Sequence, residues 1–75
     1  MAKYKNGMRC EYVGDCDIIK GIKMTITKVV NPGEKTHYGE RNNSDQVLYS
    51  VWLDEPMFCQ YEFYWLESDL APINE

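Results

Sequence analysis

Apolar residues recur along the chain at every second position, in short runs separated by turn residues, and this predicts strands rather than helices. The first strand is expected over Met8 to Val13, where Met8, Cys10 and Tyr12 alternate with Arg9 and Glu11 and take the inward face. Gly14-Asp15 closes it. Residues Asp17 to Lys23 read as a connecting arm. Its Ile18-Ile19 pair is expected to cover an open end of the core, and Gly21 permits a bend. The second strand runs from Met24 to Val30, with Met24 and Ile26 inward. Lys28 then falls on the apolar face, so a bulge near Thr27-Lys28 is expected to restore the register before Val29-Val30.

Asn31-Pro32-Gly33 stops the second strand. Residues 31–46 are polar and longer than a compact domain usually carries between elements, which predicts a mobile hairpin tip. The third strand is expected from Val47 to Asp54. Tyr49, Val51 and Leu53 share one face, Leu48, Ser50 and Trp52 share the other, and Glu55-Pro56 breaks the strand. The fourth strand, about Cys59 to Leu66, has aromatics on both faces, and the pattern does not select the inward one. Ser68-Asp69-Leu70 reads as a single helical turn with Ser68 near its start, and Ala71-Pro72-Ile73 as a short last strand at a sheet edge.

These pieces add up to one all-β domain over residues 1–75, a small barrel of about five strands with a helical turn before the last. The order resembles the small SH3-like barrels of bacterial and phage proteins. The matching stretches are Gly7 to Asp15, Gly21 to Ile26, Tyr49-Ser50-Val51-Trp52-Leu53-Asp54, and Trp65 to Ile73. Two departures stand out: Lys23-Met24 lies where such barrels often carry a glycine, and the loop 31–46 is long. The resemblance implies a binding module, and an accessory or host-interacting phage protein fits the size.

Charge sharpens this picture. Residues 1–41 hold eight basic and five acidic side chains, net +3, whereas residues 42–75 hold seven acidic and no basic ones, net −7. A dipolar surface with an acidic pole follows if the strand order keeps the halves apart. With a pI of about 4.9, nucleic acid is a disfavoured partner. Its phosphates would have to be met by Lys20, Lys23, Lys28, Lys35 and Arg41 along one edge. An acidic mimic that occupies a nucleic-acid-binding protein is a further alternative.

Three cysteines cannot all pair within one chain, so Cys10, Cys16 and Cys59 are expected as reduced thiols of a cytoplasmic protein. Neither a signal peptide nor a membrane span is expected. A Cys3His zinc set with His37 lacks the close cysteine spacing that zinc sites use, and no metal or cofactor is expected. A thiol–imidazole pair would depend on His37, which lies in the long loop, and an enzyme is not expected.

The remaining candidate is protein binding. Residues 49–65 hold seven aromatics: Tyr49, Trp52, Phe58, Tyr61, Phe63, Tyr64 and Trp65. A barrel interior this small cannot enclose them all. Trp52 runs out of phase with Tyr49, Val51 and Leu53, which predicts that it points outward unless the long loop covers it. With Tyr64, Asp54, Glu55 and Glu62 it would form an aromatic surface rimmed by carboxylates. Such a surface suits a basic or proline-containing segment of another protein.

Overall fold

The computed structural model describes residues 2–73. Five strands form one antiparallel sheet: β1 (Arg9–Tyr12), β2 (Lys23–Val30), β3 (Leu48–Met57), β4 (Gln60–Leu66) and β5 (Leu70–Pro72), with a 3-10 turn (Glu67–Asp69) just before β5. The sheet order is β4-β3-β2-β1-β5, so the chain meanders through four strands and returns to pair with the first. Among the described residues there is no other helix, and none long and apolar enough to cross a membrane.

The sheet curls on itself. Tyr12 of β1 packs its ring 5.0 Å from Trp65 of β4, although β2 and β3 lie between these strands in the sheet. Inside the curl, Cys10, Met24, Ile26, Tyr49, Val51, Leu53 and Leu70 form the core, all inaccessible or nearly so. These are alternate positions of each strand, the arrangement the period-two pattern requires. Burial also pushes the Cys10 thiol pKa up.

The expected bulge is present. The β2–β3 register slips between Ile26 and Lys28, which turns Lys28 to solvent and Val30 inward. β4 resolves its ambiguity by pairing Tyr49 with Trp65 and Val51 with Phe63. These two partners stack 5.4 Å apart against the core, while Tyr64 and Glu62 pair with Ser50 and Trp52 on the outer face.

Several expectations change. Ile18 does not cover the core: it is 92% exposed, and only Ile19 packs inward. β3 does not break at Pro56. The residues between Trp52 and Met57 bulge out of the β3–β4 ladder, so Pro56 has no ladder bond to forfeit. The helical turn gains nothing from the Ser68 side chain; its amide is instead held by Gln46 Oε1 at 3.0 Å.

Loop 31–46 is also tied down rather than a free tip. Asn42 is 4% exposed and donates Nδ2 to the carbonyls of Val30 and Gln46, at 3.0 and 2.8 Å, while its Oδ1 accepts from Ser44. Thr36 bonds across to Glu40, Lys35 bridges to Arg41, and Gly39 supplies the positive φ of the tight turn. Buried polar side chains with satisfied bonds replace the apolar contacts that the loop lacks.

Gly14 marks a close approach. A methyl placed there would come within 2.6 Å of the Tyr12 ring and 2.7 Å of an Asp69 carboxylate oxygen. Tyr12 is clamped against Trp65 and cannot yield freely. Gly14→Ala is expected to destabilise the protein by about 1–3 kcal/mol. A urea midpoint equal to that of the wild type would show that the ring gives way.

Candidate protein-binding face

The outer face of β1, β2 and β3 carries Arg9, Thr25, Trp52 and Asp54, brought side by side by the register Arg9↔Thr25↔Trp52. Arg9 makes a two-pronged contact with Asp54, with both N–O distances 2.6 Å, and also reaches Thr25 Oγ1 at 3.0 Å. This hydrogen bonding from Arg9, with the added charge of Lys23, holds the Asp54 carboxyl below the usual carboxylate range.

Trp52 stands clear of the long loop and is 50% exposed. Its indole stacks on Tyr61, the ring centres 5.2 Å apart and the planes within 3° of parallel. Beyond them the two-residue turn Phe58-Cys59 holds both residues in the left-handed region, at φ 52° and 63°. Asn and Gly are the usual occupants of such a turn, and side chains here carry backbone strain. The result is a phenylalanine 82% exposed at the hairpin tip.

Glu62 has a different role from a simple rim charge. It accepts from the Tyr38 hydroxyl at 2.7 Å, lies 3.6 Å from His37 Nε2, and is within 3.4 Å of Ser50 Oγ. Tyr64 in turn lies 2.9 Å from His37 Nδ1. Loop 31–46 is thus fastened to β4 by two rings. The Glu62 bond pushes the Tyr38 hydroxyl pKa up, and burial does the same for Tyr64.

Of the five expected binding residues, Trp52, Asp54 and Glu62 share the outer face. Tyr64 is also on that face but is set back beneath His37 and Tyr38. Glu55 sits on the bulge, exposed, beside a shallow cavity of about 310 Å³ lined with Ile22, Pro56 and Met57. Sequence reasoning passed over Tyr61 as the partner of Trp52, Arg9 as the partner of Asp54, and the loop residues His37 and Tyr38. The bulge between Trp52 and Met57 is what brings Tyr61 under Trp52, and a bulge of that size leaves no mark in a period-two pattern.

The charge asymmetry survives folding in part. β3 and β4 are neighbours and carry Asp54, Glu55 and Glu62 without a basic residue, while β1 and β2 carry Arg9, Lys23 and Lys28 against Glu11. No group of three or more metal-ligating side chains converges among the described residues. No family model matches this chain, and neither the curated proteins nor the solved structures gave a match.

Proposed function

We propose that this protein is a protein-interaction module that receives a basic or proline-containing segment on the Trp52–Tyr61 platform. The observation that carries the reading is the exposed, parallel-stacked ring pair, left uncovered by a loop that is itself well tied down. Exposed aromatic rings held rigid by stacking give proline rings and guanidinium groups a surface to pack on. The carboxylates of Asp54 and Glu62 share its face and favour a cation, although Asp54 is partly neutralised by Arg9. The same carboxylates repel phosphates, which sets this face against nucleic acid.

Titration calorimetry with a short Arg/Pro peptide tests the proposal. Trp52→Ala is expected to weaken binding by about 2 kcal/mol or more. Because the ring is half exposed, the same change should lower folding stability by no more than about 1 kcal/mol. Unchanged peptide affinity in a folded Trp52→Ala protein would remove the platform from the binding site.

A further inference from the structure

β4 is an edge of the sheet and pairs with β3 alone. One bond fixes its hydrogen-bonding phase: the Glu67 N–H donates to the Val47 carbonyl at 3.0 Å. In an antiparallel ladder this makes Leu48↔Leu66, Ser50↔Tyr64 and Trp52↔Glu62 the pairs that exchange no backbone bonds. The N–H groups of Glu62, Tyr64 and Leu66 therefore point away from the sheet, as does the Tyr64 carbonyl. The Glu62 carbonyl points the same way and is taken by Gln60 Nε2 at 3.0 Å, as this phase requires. The three outward N–H groups have no hydrogen-bond partner among the described residues.

The two sheet edges are managed differently. β5 is three residues long and ends in Pro72, a blunted edge. β4 is seven residues long and contains neither lysine nor proline. Beside it lies a groove of about 410 Å³ between Leu48, Glu62 and Tyr64 of the sheet and Thr36, Tyr38 and Arg41 of the long loop. Leu48, Glu62 and Tyr64 share the outer face of β3 and β4, so the groove lies over that face, between the strands and the loop, and borders the free edge of β4.

We propose that β4 accepts an extended segment of a partner protein as a sixth strand along its free edge, beside this groove. The proposal rests on the protein-binding reading and names the partner's conformation and pattern. An added strand alternates its side chains, one set beside Glu62 and Tyr64, the other beside Phe63 and Trp65. The fitting segment therefore alternates basic and apolar residues. A second copy of this chain fits less well, since its β4 carries one carboxylate, Glu62, and no basic residue to complement that of the first copy.

The test uses the full chain and a capped peptide alternating Lys and Val, about eight residues long, followed by amide hydrogen exchange. The amides of Glu62, Tyr64 and Leu66 are expected to exchange at least about tenfold more slowly with peptide, while Phe63 and Trp65, already bonded to β3, stay unchanged. N-methylation of one edge-facing peptide residue should weaken binding by about tenfold. Saturation that perturbs Trp52 and Tyr61 without slowing the three amides would overturn strand addition and leave the platform standing. Absence of binding, with the Arg/Pro peptide still binding through Trp52, would do the same. Failure of both peptides would sink both readings. A dimer in sedimentation that slows the same amides would replace the partner segment with a second copy.

Discussion

Leu53→Ala is expected to leave a large fraction of the molecules unfolded at room temperature, whereas Trp52→Ala, one position away, leaves the fold intact. Leu53 is 1% exposed and faces Met24, itself inaccessible, across the β2–β3 ladder. Truncating a buried leucine costs about 2–5 kcal/mol, the lost transfer free energy plus the cavity left behind. A domain of this size commands only about 3–5 kcal/mol in all. The two effects are therefore comparable, and the population shifts from mostly folded to comparable folded and unfolded fractions. Urea denaturation followed by circular dichroism reads the difference directly. A loss below about 1 kcal/mol at Leu53, or a loss above about 3 kcal/mol at Trp52, would mean that β3 sits one residue out of register.

That contrast was legible in the sequence because it depends only on alternation. Tyr49, Val51 and Leu53 are buried and Trp52 is exposed, as period two demands of a strand with one wet face. The bulge at Thr27-Lys28 was legible for the same reason: a lysine in phase with Met24 and Ile26 had to be displaced. The strand count, the helical turn before the last strand and its edge proline followed from turn residues. What sequence did not convey were relations set by non-local geometry. Which face of β4 is inward depends on its register with β3, and that register depends on a turn, Phe58-Cys59, built from residues no turn rule selects. The order in loop 31–46 comes from Asn42, a residue whose mobile and buried roles look alike until its partners, Val30 and Gln46, are in place. The candidate site divides in the same way. Trp52 was found by phase, whereas Tyr61, Arg9 and His37 reach it or its neighbours only through the folded sheet.

Alkaline titration should unfold the protein through one buried phenol. Tyr49 is completely inaccessible, its hydroxyl donating to Glu67 Oε2 at 2.7 Å and accepting from the Tyr4 N–H at 3.0 Å. Burial, and then the bond to Glu67, push its pKa up to about 12. In the unfolded chain a tyrosine titrates near 10. The folded state thus retains its proton where the unfolded state has lost it. The contribution of this group is fully present below pH about 10 and is lost as pH rises toward about 12. At about 1.4 kcal/mol per pH unit the loss approaches 3 kcal/mol, most of what a small domain holds. The acid side has the opposite sign. The hydrogen bond from Tyr49, with help from the Lys3 N–H, lowers the Glu67 pKa. That contribution is present above the usual carboxylate range and disappears as pH falls through the lowered value. Tyr38 and Tyr64 also titrate high, so the informative quantity is the wild-type curve minus that of Tyr49→Phe. The variant should lose about 1–2 kcal/mol at neutral pH, since it leaves the Tyr4 N–H and Glu67 without the hydroxyl. The gap between the curves should then narrow and reverse above pH about 10, where the wild type weakens and the phenylalanine protein does not. Curves that stay parallel from neutrality to pH about 12 would show that Tyr49 ionises as easily in the folded protein as in the unfolded chain.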